Sequence, residues 1–148
     1  MRDRNGRRRG AAIVELALIM TILSLLVIGT IDFGRIGYMA MALTNAARAG
    51  AMVGIETSAT SANFTAMQNA ASASASQDIG VITAVASRSC ECDVGGVVTV
   101  MGTCTTACAG IVRIRVIVTA SKTFNTITRL PGLNNSLTLT RQAIMRAQ

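Results

Sequence analysis

Residues 11–31 limit how this chain folds more than any other stretch. They form a run of 21 residues in which Glu15 is the single ionisable side chain. A helix rises about 1.5 Å per residue, so this run would be about 30 Å long, the thickness of the hydrocarbon core of a bilayer. We therefore expect residues 11–31 to form one membrane-spanning helix.

The charges before the span predict its orientation. Residues 1–10 contain five arginines and one aspartate. Arginine and lysine beside a span are retained on the cytoplasmic side of the membrane. We therefore expect residues 1–10 to be a basic cytoplasmic leader, held electrostatically near anionic lipid, and the rest of the chain to lie outside the cytoplasm.

Glu15 argues for more than a plain anchor or an uncleaved signal. A carboxylate inside an apolar helix is costly, and it usually marks a partner or a pathway. The cost is moderate here because Glu15 lies near the end of the span, where water is within reach. A simple single-span anchor remains the alternative interpretation.

The residues around Gly10 support the interpretation that the span is more than a plain anchor. Arg9 and Gly10 end the basic leader, Ala11 opens the apolar run, and Glu15 is the fifth residue after Gly10. This arrangement resembles the type IV prepilin signal, in which a prepilin peptidase cuts after the glycine. A glycine suits a cleavage site because it allows the backbone to approach the protease closely.

One set of residues between positions 10 and 54 carries a family resemblance: Gly10, Ala11, Val14, Glu15, Gly29, Asp32, Phe33, Gly34, Arg35, Leu43, Ala46, Ala47, Arg48 and Gly50. On these residues, the segment resembles the TadE/TadG family of tight-adherence (Tad, or Flp) pilus systems. The family has an acidic residue before Phe-Gly-Arg, and Asp32 satisfies that pattern. The proline that is common in the family's apolar run is absent here, so we predict no kink.

The resemblance implies a minor pilin or pseudopilin-like component of a tight-adherence pilus assembly or secretion machine in the bacterial inner membrane. It implies cleavage after Gly10 by a prepilin peptidase. It also implies that Glu15 neutralises the N-terminal ammonium of a neighbouring subunit's residue 11. The expected partners are other pilin subunits and pilus-assembly membrane proteins. The alternative is an unprocessed, membrane-anchored scaffold or adhesin.

The helix is expected to continue beyond the membrane. A spacing of three and four predicts one helix from about residue 12 to residue 53, with residues 32–54 projecting. The apolar or small positions of this stripe are Phe33, Ile36, Ala40, Leu43, Ala47, Gly50 and Gly54. Asp32 and Arg35, three residues apart, are predicted to pair at the outer membrane surface, a contact worth only about 0.2–0.5 kcal/mol.

Residues 55–148 predict a small α+β head outside the cytoplasm. An Ala-rich stretch at residues 62–77 is expected to be a second helix capped by Ser61, with a flexible linker over the Ser/Ala repeat at residues 70–76 as the alternative. Residues 81–86, 97–100, 111–119 and 136–147 are strand-like, and residues 130–135 read as a turn-rich loop. We expect an antiparallel sheet in this head.

Residues 111–119 form the clearest of these strands. One face carries Arg113 and Arg115 with Ile111 and Ile117, and the other carries Val112, Ile114, Val116 and Val118. This alternation is typical of a half-buried antiparallel strand.

Four cysteines, at positions 90, 92, 104 and 108, predict two disulfides. An even number outside the cytoplasm favours disulfides, and three connectivities are possible. The nested set, Cys92–Cys104 inside Cys90–Cys108, fits two antiparallel arms. Each link would contribute about 2–4 kcal/mol to a head whose chain is only 3% aromatic. A zinc site of Cys90, Cys92, Cys104 and Cys108 competes, but its spacings are not the usual CxxC pairs.

The remaining residues exclude several classes of function. The chain has no histidine, so a Ser-His or Cys-His pair cannot be built. Glu91 and Asp93 fall in a predicted loop tip, and no phosphate-binding glycine loop follows a strand. The net charge is +7, of which residues 1–10 carry +4, and no basic stripe with interleaved aromatics exists. We expect no enzymatic activity, cofactor, metal, nucleic acid or small-molecule substrate.

Overall fold

The computed structural model describes residues 4–101, 104–105, 107–127 and 135–147, with side chains from residue 10 onward. A single helix, α1 (Arg4–Ile55), runs for 52 residues through the span and the projecting stretch. The predicted continuous helix is confirmed, and it begins earlier because residues 4–10 of the leader are also helical. Residues 1–3 of the predicted leader lie outside the described residues.

The segment after α1 folds differently from the prediction in one detail. A 3₁₀ turn, Thr60–Ala62, leads into the second helix, α2 (Phe64–Ser76). Asn63 caps α2 by accepting a hydrogen bond from the Ala66 N–H at 3.1 Å. The predicted cap at Ser61 is therefore wrong: Ser61 is fully buried in the 3₁₀ turn, where its hydroxyl donates to the Ser58 carbonyl.

The head contains a four-stranded antiparallel sheet in the order β2-β1-β3-β4. Its strands are β1 (Thr83–Val94), β2 (Val97–Met101), β3 (Ile111–Asn125) and β4 (Ser136–Ala147). The α+β prediction is thus confirmed. Two strands are longer than expected, because β1 pairs with both β2 and β3, and β3 pairs with both β1 and β4. All of the predicted 130–135 loop except Asn135 lies outside the described residues.

A two-residue hairpin joins β1 to β2. Val94 pairs with Val97, and the two residues between them are Gly95 and Gly96, with φ of 61° and 89°. Tight hairpin turns require positive φ at these positions, which glycine adopts without a steric penalty. The hairpin sets the register of the β1–β2 pair, in which Cys90 faces Met101.

The core lies between one face of the sheet and the two helices. Its buried residues are mostly small: Leu43, Ala46, Ala47, Ala51, Met67, Ala71, Ala75, Ala86, Val116, Val118, Ala120 and Ala143. Burial of Met67, Ala71 and Ala75 rules out the flexible-linker alternative for α2. The predicted alternation of β3 is confirmed, because Val116 and Val118 are buried while the two arginines take the opposite face.

The apolar stripe of α1 packs on the protein's own head, with one exception. Leu43, Ala47, Gly50 and Gly54 are buried against α2 and β3. Phe33 was placed on this stripe by its spacing, but it is 78% exposed. Phe33 lies at the edge of the stripe, on a side of α1 that the head does not cover, although the preceding residue, Asp32, is buried.

Gly50 marks the closest approach between α1 and α2. A Cβ atom added at Gly50 would lie 2.7 Å from the Met67 carbonyl oxygen and 3.0 Å from Val118 Cγ1. A backbone atom cannot move aside as a flexible side chain does, so any larger residue forces the two helices apart.

We predict that Gly50→Ala destabilises the head by about 1–3 kcal/mol through overpacking. Gly37→Ala is the matched control in the same helix, since a Cβ there meets nothing within 4 Å. It should be neutral or stabilise by up to about 1 kcal/mol through helix propensity. Calorimetric unfolding of the full chain in detergent measures both. Equal shifts in the two variants would contradict the packing described for Gly50.

Candidate functional site

The membrane-facing half of α1 stands apart from the head. Residues 10–55 form the one helix in the described part of the chain that is long and apolar enough to cross a membrane. Its most apolar window has a mean hydropathy of 2.7, and none of that window is buried. This half of α1 therefore suits a single-pass membrane anchor.

The three predicted processing and pairing residues all lie on this exposed half. Gly10, Ala11 and Glu15 are exposed, and a Cβ added at Gly10 meets nothing within 4 Å. Among the described residues, Glu15 forms no ion pair. Any partner of this carboxylate would therefore come from outside the described part of the chain.

Asp32, the first residue after the span, joins α1 to the head. Both of its carboxylate oxygens accept a hydrogen bond from the Ile127 backbone N–H, at 3.2 Å each. Arg35 Nη1 also donates to Asp32 Oδ1 at 3.3 Å. The predicted Asp32–Arg35 pair is present, but Asp32 is only 6% exposed. It is therefore a buried junction residue instead of an exposed surface partner.

Arg35 strengthens this junction through a second contact. Its guanidinium carbon lies 4.8 Å from the ring centroid of Phe124, a cation–π distance. Phe124 is 2% exposed and precedes the end of β3 by one residue. Asp32 and Arg35 together hold the end of β3 against α1. The other two residues of the helix motif, Phe33 and Gly34, are exposed and take no part in the junction.

The sequence did not identify the residues of the head that contact Asp32 and Arg35 at this junction. Ile127 lies 95 residues from Asp32 along the chain, and its contribution is a backbone N–H, which leaves no trace in residue type. Phe124 offered one signal. Continuing the alternation of β3 from Val116 and Val118 by two-residue steps places Phe124 on the buried face.

The cysteines form two disulfides, Cys90–Cys104 and Cys92–Cys108, with Cα–Cα distances of 5.1 and 5.7 Å. The prediction of two disulfides is confirmed, and the zinc alternative is wrong because no free thiol remains among the four. The nested connectivity is also wrong, since the two links interleave. Cys90 and Cys92 lie on the core face of β1 and are buried.

The strand register explains the interleaved links. The end of β2, Met101, pairs with Cys90, and the start of β3, Ile111, pairs with Asp93. The chain therefore passes from the level of Cys90, at Met101, to the level of Asp93, at Ile111. Cys104 accordingly meets Cys90 first, and Cys108 meets Cys92 later. The nested set would require a segment running in the opposite direction.

Glu91 and Asp93 lie within β1, so their predicted position in a loop tip is wrong. Asp93 pairs with Arg113 at 2.8 Å, and Glu91 pairs with Arg115 at 2.7 Å. Arg146 Nη2 lies 3.4 Å from the second Glu91 oxygen, an ion-pair contact without hydrogen-bond geometry. These pairs cover the outer face of the sheet and account for the arginines of β3.

The described residues offer no site for a metal ion. Within residues 4–101, 104–105, 107–127 and 135–147, no group of three or more histidine, cysteine, aspartate or glutamate residues could hold a metal ion. The carboxylates Glu91 and Asp93 instead pair with arginines of β3 and β4 across the sheet.

Comparison with protein families supports the resemblance over α1. Residues 10–52 match the family of TadE-like proteins. The matched segment includes Gly10, Glu15, Asp32 and Arg35, and it ends before the head's second helix. The resemblance drawn from the sequence is therefore confirmed over this segment. This match supports the interpretation of the chain as a component that is associated with the tight-adherence pilus machinery and with a membrane.

The other two comparisons gave no match. Neither the curated proteins nor the solved structures include one that is significantly similar to this chain.

We predict that the Cys90→Ala/Cys104→Ala variant retains one native disulfide and has no free thiol. The head should lose about 3 kcal/mol, the value expected for closing a loop of about 15 residues. Thiol titration without reductant, together with calorimetric unfolding, measures both effects.

The matched control is Cys90→Ala/Cys108→Ala, which removes one cysteine from each disulfide. It should expose two free thiols and lose the stabilisation of both links. If its thiols were oxidised and its stability equalled that of the first variant, the interleaved connectivity would be wrong.

Proposed function

We propose that this chain is a minor pilin or pseudopilin-like component of a tight-adherence pilus assembly or secretion machine. In this proposal it is a structural subunit without enzymatic activity. It lies in the bacterial inner membrane with its N-terminus in the cytoplasm and its head outside. A prepilin peptidase would cut it after Gly10, and its other partners would be pilin subunits and pilus-assembly membrane proteins.

The observation that carries the proposal is the environment of Glu15. This carboxylate lies in the segment matched by the TadE-like family and has no ion-pair partner among the described residues. A charge in lipid is costly, and a neighbouring subunit's positively charged N-terminus would offset that cost. Cleavage after Gly10 would create such an N-terminus at Ala11, within about 6 Å of axial rise from Glu15.

The projecting half of α1 has exposed apolar side chains on the same side of the helix as Glu15. Eighteen residues separate Glu15 from Phe33, which is five turns at about 3.6 residues per turn. The exposed Phe33, Met41 and Met52 lie on neighbouring parts of that helix face. A second subunit that receives Glu15 in the membrane would therefore also meet apolar side chains outside it.

Processing at Gly10 is compatible with the helix that contains it. Gly10 lies inside α1, so a protease would have to unwind the helix locally. Glycine is about 1 kcal/mol less favourable than alanine in a helix, which lowers the cost of unwinding there.

We predict that Gly10→Trp blocks cleavage while membrane insertion continues, because the span is unchanged. Gly29→Trp is the matched control, since both glycines have open surroundings, and it should be cleaved normally. Intact-mass measurement of protein from membranes distinguishes a chain that starts at Ala11 from one that keeps its leader. A Gly10→Trp chain that begins at Ala11 would refute the processing site.

We predict that Glu15→Ala and Glu15→Gln are cleaved after Gly10 and stay in the membrane but fail to support pilus assembly. Both should co-purify less with other pilus subunits. Glu15→Asp should be intermediate, because it keeps the charge and shortens its reach. Surface pilus yield and pull-down of partners are the measurements.

Thr21→Ala serves as the matched control in the span. Its hydroxyl donates to the Ala17 carbonyl of the same helix at 2.8 Å, so it already has an internal partner. It should assemble like the parent. Should Glu15→Ala also assemble and retain partners, the unprocessed scaffold or adhesin would be the better assignment.

A further inference from the structure

The junction fixes the height of the head above the membrane. Asp32 directly follows the apolar run, whose length matches the hydrocarbon core. Its carboxylate holds the Ile127 N–H at 3.2 Å. The end of β3 therefore lies at the level where the span leaves the hydrocarbon, inside a headgroup layer about 5–8 Å thick.

The surface at that level combines apolar and neutral polar groups. Ile127 is 60% exposed, and Phe33 on α1 is exposed beside the end of the span. A shallow cleft next to Ile127 is lined by Asn125, Thr126, Asn135 and Ser136. Each of these four side chains is uncharged and carries hydrogen-bonding groups.

Among the described residues, charge is also neutralised at the junction between α1 and the end of β3. Asp32 is the acidic group of the junction, and Arg35 pairs with it. The interface of a bilayer favours this combination, since it accommodates aromatic and apolar groups beside hydrogen-bonding ones. Binding of a basic or acidic protein partner would instead require unpaired charges of the opposite sign on this surface. None of the side chains named in this surface supplies such a charge.

We propose that the membrane-proximal end of the head, formed by Ile127 and the Asn125–Thr126–Asn135–Ser136 cleft, rests in the lipid headgroup layer of the membrane that α1 spans. Asp32 is the positioning residue that holds it there. Its occupant is the phospholipid interface, which is continuous with the lipid around residues 11–31. The head, which is packed on α1, then contacts the membrane beside the span as well as through it.

The inference rests on membrane anchoring by α1 and not on a role in a pilus. The two ideas therefore fail separately. Pilus assembly by the Glu15 variants tests the proposed function alone. The depth of residue 127 in the lipid tests the contact of the head with the membrane alone.

The absence of tryptophan from the chain allows a direct test. Ile127→Trp places a single fluorescent reporter at the proposed contact, and the Ile127 N–H that Asp32 binds is retained. The full chain is reconstituted in phosphatidylcholine vesicles whose acyl chains carry bromine close to the headgroup. We expect the fluorescence to be blue-shifted and mostly lost, compared with vesicles of unbrominated lipid.

Ile144→Trp is the matched control. Ile144 is an exposed isoleucine that pairs with Ile117, about 26 Å along β3 from Asn125 at about 3.3 Å per residue. It should not be quenched. Equal quenching at the two positions, or a blue shift at position 127 without quenching, would overturn the proposal. The second result would indicate contact with a second copy of the chain instead of lipid.

Adding Asp32→Ala to Ile127→Trp tests the positioning role. Loss of the carboxylate releases the Ile127 N–H, so quenching by the brominated lipid should decrease. The Asp32→Ala/Ile144→Trp protein controls for general loosening of the head and should remain unquenched. Unchanged quenching at position 127 would remove Asp32 from the mechanism, and quenching at both positions would show a collapsed head instead of a released end.

Discussion

One continuous helix has to satisfy two environments, and the rest of the structure follows from that constraint. In its first half α1 exposes large apolar side chains in all directions, as lipid requires. In its second half the same helix presents alanine, glycine and Leu43 to the head and keeps Phe33, Met41 and Arg48 on the opposite side. The changeover occurs at Asp32, where the first buried side chain of the helix is also the first charged residue beyond Glu15.

The small side chains of this head account for both its packing and its cross-links. Alanine and glycine bury little area per residue, so the core gains stability from close backbone approach instead of from large side chains. The contact of Gly50 with the Met67 carbonyl is the clearest case. The two disulfides supply further stabilisation at the end of the sheet farthest from Asp32, on buried Cys90 and Cys92.

The buried and partly buried carboxylates of the head form ion pairs across strands, and Asp32 forms one at the junction. Glu91 and Asp93 would be costly beside apolar strands if unpaired, and each meets an arginine across the β1–β3 ladder. Asp32 performs a similar role between distant parts of the chain. Glu15 differs from these carboxylates, because it has no ion-pair partner among the described residues. That contrast makes Glu15 the residue through which we expect another subunit to be recognised, and it agrees with the match of residues 10–52 to TadE-like proteins.

The sequence by itself determined the features that depend on local pattern. Apolar length defined the span, three- and four-residue spacing defined the continuation of α1, and alternation defined the buried face of β3 and the bounds of β4. Residue types over residues 10–54 also sufficed for the family resemblance. Each of these is a property of neighbouring residues, which hydrophobic periodicity reports directly.

Only the tertiary structure decided the features that depend on register and distance. The levels along β1 at which β2 ends and β3 begins set the interleaved disulfides, and four cysteines alone allow three connectivities. Pairing on both sides of β1 drew Glu91 and Asp93 out of a predicted loop. The Asp32 junction uses a backbone N–H from 95 residues away. A backbone donor has the same chemistry at every non-proline residue, so no sequence pattern could have identified it.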